Sequence, residues 1–253
     1  MKIFVSGIAG FLGSHLADAF IKDGHHVVGC DSLIGGELSN VPAEAEFYQY
    51  DCCYRNSMLK ITKGCDLVYH TAATAYEGLS VFSPHLITNN IVTGSVSLFS
   101  AAIENKVKRI VFCSSMARYG TNKVPFREDY TPKPQDPYGI AKVAAEDILK
   151  NLCEVHNVEY VIAVPHNIIG PRQKYDDPFR NVMSIFINRN LQGEPSIIYG
   201  DGNQTRDYVY VADVVSALIK SSENDNDLFL NIGTGVETSV NDLVSLIALK
   251  TSW

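Results

Sequence analysis

The sequence predicts an α/β fold, a doubly wound parallel sheet covered by helices on both faces. Three observations carry that expectation. Strand-length apolar runs alternate with helix-length amphipathic segments over the first 168 residues. Each strand is a near-continuous apolar run, as expected of a parallel sheet buried on both sides. The first strand leads straight into a glycine-spaced turn and a helix, a unit that gathers ligands at the carboxyl ends of such strands.

Lys2-Ile3-Phe4-Val5-Ser6 is the first strand, followed by Gly7-Ile8-Ala9-Gly10-Phe11-Leu12-Gly13. Phe11, Leu12, Leu16, Ala19 and Phe20 share one helical face until Gly24, and His26 to Asp31 is a second strand ending in an acid. Gly7 permits a tight turn, Gly10 lets the backbone approach a pyrophosphate, and Gly13 lets the helix pack on the strand with its N-terminal N–H groups facing the anion. Asp31 stands eighteen residues past Gly13. A carboxylate there binds both ribose hydroxyls of an adenosine and repels a 2′-phosphate, which predicts NAD rather than NADP.

A loop runs from Asp31 to about Pro42, before strands at 46–51 and 66–70. Helical periodicity covers about 87–105, Arg109 to Cys113 is a buried strand leading into Ser114-Ser115, and a loop with four prolines spans 120–137. A helix follows from Tyr138 to about His156, then a sixth strand at 160–164. Beyond Asn167 the rhythm changes. A polar loop runs from Gly170 to about Arg180, then come a helix around Val182 to Ile187, a strand at 196–199 and a turn at Gly200-Asp201-Gly202-Asn203. A strand at 206–211, a helix at 212–221, a strand at 228–232 and a helix at 239–250 complete the chain. Residues 1–168 are expected to form a dinucleotide-binding domain, and 169–253 a small cap interleaved with the last strand and helices of the sheet.

At 253 residues and 46% hydrophobic content the chain can bury one large core or a core and an annex. The net charge of −7, with no basic stripe, argues against nucleic-acid binding. The six cysteines have no C-x-x-C pair and no Cys/His ligand spacing, so buried free thiols in a reducing cytoplasm are expected and no metal site. No stretch reads as long and uncharged enough to cross a membrane, so a cytoplasmic protein without a membrane partner is expected. His70 reads as a packed strand-end residue.

Tyr138 and Lys142 are four apart at the start of a helix and share a face. An ammonium one turn from a phenol, near a nicotinamide cation, favours phenolate and is expected to pull the tyrosine pKa towards the working pH, so that Tyr138 acts as base or acid. Tyr-x-x-x-Lys is a frequent accident, and on spacing alone the solvated helix face is the favoured reading. Ser115, at a strand end, could hold a substrate oxygen beside Tyr138; strand termination is the alternative reading of Ser114-Ser115.

With Gly7-x-x-Gly10-x-x-Gly13, Asp31, Asp51-Cys52, His70-Thr71-Ala72-Ala73, Ser114-Ser115, Tyr138-x-x-x-Lys142, His166-Asn167, Gly170-Pro171-Arg172 and Gly200-Asp201-Gly202-x-Gln204-Thr205-Arg206-Asp207-Tyr208, the whole chain resembles the extended short-chain dehydrogenases/reductases. Within them it is similar to the NAD-dependent nucleotide-sugar epimerase/dehydratase family. That resemblance implies a Rossmann-type sheet, a catalytic trio of Ser115, Tyr138 and Lys142, and Asn167 and Arg206 on the sugar-nucleotide diphosphate, with Ser115 on the sugar. It implies NAD held by Gly7, Gly10, Phe11, Leu12, Gly13, Asp31, Ser32, Leu33, Gly36, Asp51, Cys52, Ala72, Ala73, Thr74, Asn90, Tyr138, Lys142, Pro165 and His166. A guanidinium suits phosphate oxygens on charge alone; a surface ion pair of Arg206 with Asp207 or Asp201 is the alternative.

Similar 4,6-dehydratases carry an Asp-Glu pair just after the catalytic hydroxyl, decarboxylases a glutamate, and 3,5-epimerases a cysteine, where this chain has Met116 and Ala117. The resemblance thus implies 4-epimerisation, and residues 170–206 are similar to chains labelled UDP-glucose 4-epimerase, which implies a UDP-hexose substrate. A non-catalytic or weakly active NAD-binding relative and another NAD-dependent sugar-nucleotide reductase or dehydratase stand as alternatives. Relatives continue past the position of Trp253 with elements that close the sugar pocket, which implies a C-terminally shortened cap. They also imply a homodimer through the helices at 88–105 and 138–156.

Overall fold

The computed structural model describes residues 1–176, 182–223 and 228–251. A seven-stranded sheet forms the centre, in spatial order β3-β2-β1-β4-β5-β6-β9. Its strands are β1 Lys2–Ser6, β2 His26–Cys30, β3 Glu46–Tyr48, β4 Leu67–His70, β5 Arg109–Cys113, β6 Glu159–Pro165 and β9 Leu228–Ile232. Every pair is parallel. The order reverses direction between β1 and β4, and the carboxyl ends of those two strands open the crevice where ligands collect on such sheets.

Strand alternation sends successive side chains to opposite faces. Phe4, Val68, Ile110, Phe112 and Ile162 face a core closed by α2 Arg55–Ile61, α5 Gly94–Glu104 and α6 Pro137–His156. Ile3, Val5, Tyr69, Val111 and Val161 face the other core, closed by α1 Phe11–Lys22 and α8 Val211–Ser222. Helix α6 is well bounded: Asp136 Oδ1 accepts from the Gly139 N–H at 2.8 Å, Pro137 takes the first position, and Asn157 closes the helix in the left-handed conformation.

A second sheet of three strands, β7 Asn167–Ile169, β8 Thr205–Tyr210 and β10 Glu237–Ser239, lies beyond β6 in order β10-β8-β7. Phe186 of α7 Val182–Leu191 packs there with Val240, Leu243 and Ile247 of α9 Val240–Thr251. The last strand of the central sheet, β9, and α8 on its face both come from the part of the chain after residue 168.

Several elements differ from the sequence expectation. Helix α2 falls where none is expected, because its seven residues are too few for a clear period. The run at 196–199 is not a strand: both edges of β8 are already paired, and Ile197 and Tyr199 stay exposed. Strands β7 and β10, three residues each, are too short for alternation to show. The helix expected from 87 starts earlier, as α3 Glu77–Ser80 and α4 Pro84–Thr88, and joins α5 through a π turn at Asn89–Thr93. Residues 177–181 of the polar loop lie outside the described residues. Contrary to expectation, Pro84–Glu104 is long and apolar enough to cross a membrane by length and composition; half of its most apolar window is buried in the fold, where Leu98, Phe99, Ala101 and Ala102 join the core.

Phe112 is fully buried at the centre of this packing, its ring 5.6 Å from Phe99 and 5.5 Å from His70. Phe112→Ala should lower unfolding stability by about 3–5 kcal/mol in urea melts; a loss below about 1 kcal/mol would contradict the packing described.

Candidate active site

The glycine turn is built by close approach. Gly7 adopts φ +73°, and a Cβ on it would stand 2.8 Å from the Ala72 Cα; one on Gly13 would stand 2.2 Å from the Gly7 carbonyl oxygen. The ends of β1 and β4 and the start of α1 thus meet at contact distance. Gly10 caps α1 in extended conformation, and no side chain accepts from the first-turn N–H groups. Across the turn Asp31 accepts from Leu33 N–H at 2.8 Å and Ala9 N–H at 3.1 Å. Burial raises the Asp31 carboxyl above its ordinary value, and those backbone bonds oppose the shift.

A crevice of about 510 Å³ runs over this turn. It is lined by Gly7, Gly10, Phe11, Leu12, Gly13, Asp31, Ser32, Gly36, Asp51, Cys52, Ala72, Ala73, Thr74, Asn90, Pro165 and His166, together with Ser115, Tyr138, Lys142 and Asn167. Leu33 is the exception among the residues expected there: its backbone serves Asp31, while Ile34 and Gly35 line the wall. The π turn brings in Asn90, whose Nδ2 donates to Thr74 Oγ1 at 2.9 Å.

At the far end Ser115, Tyr138 and Lys142 converge. Lys142 donates from Nζ to the Cys113 carbonyl at 2.8 Å and lies 4.8 Å from the Phe112 ring centre, leaving 2% of the residue exposed. Gly139 lets α6 approach, since a Cβ there would stand 2.9 Å from the Ala117 carbonyl oxygen. Tyr138 is 6% exposed and packs with Tyr76, Ile87 and Ala141.

The expected drop in the Tyr138 pKa is not what the chain alone produces. Burial pushes the phenol well above its ordinary value, the neighbouring Ser115 hydroxyl pulls the other way, and the charges of Glu77 and Asp136 add to the rise. Burial also lowers Lys142 to about 8, against the opposing charges of Cys113 and Glu146. The ammonium is directed at a carbonyl, and desolvation of the phenol decides the direction of the shift.

Behind the trio lies a buried ion pair. Glu146, with no exposed surface, takes Arg118 Nε at 3.1 and 3.2 Å and the hydroxyl of Ser114. The Arg118 guanidinium stacks over Phe229 at 4.4 Å and Tyr119 at 4.8 Å. Ser114 is therefore structural, and of the serine pair only Ser115 lines the crevice beside Tyr138 with a hydroxyl not tied to Glu146. His70 is also internal: its ring nitrogens meet Ser6 Oγ at 2.7 Å and Ser95 Oγ at 2.9 Å, and burial lowers it to about 3, so it is neutral.

A second cavity of about 570 Å³ adjoins the crevice, and Glu77, Met116, His166 and Asn167 line both. Asn167 donates from Nδ2 to the Asp207 carbonyl at 3.3 Å. Arg206 lines this cavity, exposed, with Nη1 on the Thr205 carbonyl at 2.8 Å. Its expected alternative partners are engaged elsewhere: Asp207 holds Thr234 and Gly235, and Asp201 holds Asn203. Glu77 was not anticipated. Its signal was an acid within ten residues of the end of a parallel strand that borders the switch point, masked because the intervening stretch lacks regular periodicity.

Residues 3–233 match the model of the NAD dependent epimerase/dehydratase family. The chain belongs to that family. It is similar to the UDP-glucose 4-epimerase of Mycolicibacterium smegmatis, 36% identical over 260 residues that cover 98% of this chain and 82% of that protein. The crystal structure of UDP-glucose 4-epimerase from Thermotoga maritima with UDP-glucose superposes with a TM-score of 0.96 at 37% identity, covering 99% of this chain and 82% of that one. UDP-N-acetylglucosamine 4-epimerase from Methanobrevibacter ruminantium, in complex with UDP-N-acetylmuramic acid, superposes with a TM-score of 0.93 at 34% identity, covering 97% and 80%.

As a member of this epimerase/dehydratase family the protein uses NAD, and the crevice suits it. The uncapped N–H groups of α1 offer donors to a pyrophosphate, Asp31 offers acceptors to ribose hydroxyls, and the glycine contacts leave no room for side chains over the turn.

Two results follow from the burial of these charges. In cofactor-free protein, the difference titration between wild type and Tyr138→Phe should show no phenolate below pH 10, the ordinary tyrosine value; a midpoint near neutrality would contradict the burial described. Glu146→Ala, which strands Arg118, should cost about 3–5 kcal/mol in chemical unfolding, and a neutral result would mean the pair carries no such weight.

Proposed function

We propose that the protein is a nucleotide-sugar 4-epimerase that interconverts UDP-glucose and UDP-galactose by transient oxidation at C4. The observation that carries this reading is the composition of the site at Ser115: a phenol, a hydroxyl and an ammonium are together, while the two positions after Ser115 hold Met116 and Ala117. Those two side chains have no proton to give or take, so the serine turn supplies no acid, base or thiol for elimination or for epimerisation at C3 and C5.

When bound, NAD supplies the two-electron acceptor for the hydrogen on C4 and a positive charge beside the phenol. Lys142 and that charge together favour the phenolate that burial in the bare chain disfavours. Tyr138 takes the proton of the C4 hydroxyl, and Ser115 hydrogen-bonds the same oxygen. The sugar becomes a 4-keto species, free to turn about its phosphate linkage while Arg206 and Asn167 hold the diphosphate. Tyr138 returns its proton to O4 as the C4–H bond re-forms on the opposite face. No atom is lost or gained, so one bound cofactor serves repeated turnovers.

The residues named above as lining the crevice form, on this reading, the cofactor site, and Ser115, Asn167 and Arg206 the substrate site. NAD-loaded wild type should convert UDP-galactose to UDP-glucose, and Tyr138→Phe should slow the conversion by roughly 10²- to 10⁴-fold while still binding NAD. Failure of the wild type to interconvert the two sugars would sink the proposal, as would full activity in Tyr138→Phe.

A further inference from the structure

We propose that Glu77 sets the charge of the accepted sugar: the site takes a neutral hexose and rejects nucleotide sugars that carry a carboxylate, such as uronates. This inference rests on reading the crevice and the adjoining cavity as one nucleotide-sugar site.

Glu77 opens α3 and lines both spaces. Its neighbour Tyr76 is buried against Tyr138, Ile87 and Ala141, which anchors the acid at the phenol end of the crevice. The Tyr138 phenol feels the charge of Glu77; burial and then Asp136 raise the Glu77 carboxyl above its ordinary value, and Arg206 opposes that rise. A sugar reacting at Tyr138 therefore passes beside this carboxylate, and a sugar that turns over between two hydrogen transfers brings several of its edges past it.

The balance of charge around the second cavity points the same way. Asp136, Asp207 and Glu237 line it with Glu77, against Arg206 and a His166 that burial disfavours as a cation. The first three are already engaged, Asp136 by Gly139 N–H, Asp207 by Thr234 and Gly235, and Glu237 by the Thr205 hydroxyl. Glu77 has no such donor among the described residues, and it lines the crevice as well as the second cavity. Its carboxylate can accept from sugar hydroxyls. A second carboxylate on the sugar would meet Glu77 as a like charge, with Arg206 the cavity's one guanidinium among the described residues and a diphosphate competing for it.

Calorimetric titration of NAD-loaded protein with UDP-glucose and with UDP-glucuronate tests this directly. Wild type should prefer UDP-glucose by about tenfold or more, a margin that shrinks as salt is raised because it is electrostatic. Glu77→Gln should narrow the preference by strengthening UDP-glucuronate binding, and Glu77→Asp should retain it. Equal affinities in wild type, a salt-independent preference, or an unchanged ratio in Glu77→Gln would each overturn the proposal. Turnover of UDP-galactose is scored separately: its absence alongside an intact charge preference sinks the 4-epimerase reading and leaves this one standing.

Discussion

The hydrogen bond from Lys142 Nζ to the Cys113 carbonyl spans 2.8 Å and joins helix α6 to the end of strand β5. It satisfies a charge that has lost nearly all contact with water, so the helix cannot shift without exposing an unpaired ammonium to an apolar interior. Tyr138 is one helical turn earlier and is thereby held beside Ser115, which follows the same strand. Gly139 makes the approach sterically possible, and the Arg118–Glu146 pair braces it from behind by tying the turn after Ser115 to the next turn of α6. Position of the Tyr138 phenol is thus a consequence of buried charge, not of the local sequence around Tyr138 alone.

The same burial has an electrostatic effect that opposes the proposed chemistry. Removing water from Tyr138 stabilises the neutral phenol, and the carboxylates of Glu77 and Asp136 reinforce it. A site arranged in this way keeps the phenol protonated until another positive charge arrives. On the proposed mechanism, that places the competence of the phenol under the control of cofactor binding, while the glycine turn and Asp31 are preformed by the chain itself.

Much of the fold could be read from residues because its signals are local. The alternation of apolar strands with amphipathic helices, the glycine spacing before α1 and the acid ending β2 each follow from backbone geometry within about thirty residues. What could not be read depends on tertiary context. Ser196 to Tyr199 has strand-like composition but pairs with no strand, and β7 and β10 exist only because β8 pairs with them. Among site residues, the crevice lining followed from the motifs, with Leu33 turned to a backbone function. Glu77 lay in a stretch without periodicity, and only the packing of Tyr76 against Tyr138 brings it to the site. The direction of the Tyr138 shift was likewise out of reach, because spacing reveals which charges are near but not how much water has been excluded.

The account turns on transient removal of the hydrogen at C4 and its internal return. The most direct measurement is to incubate NAD-loaded protein with UDP-galactose deuterated at C4 and examine the UDP-glucose formed by NMR. Retention of deuterium at C4 with none lost to water is the predicted result. Loss of the label to solvent, or incorporation of solvent hydrogen at C3 or C5, would contradict it.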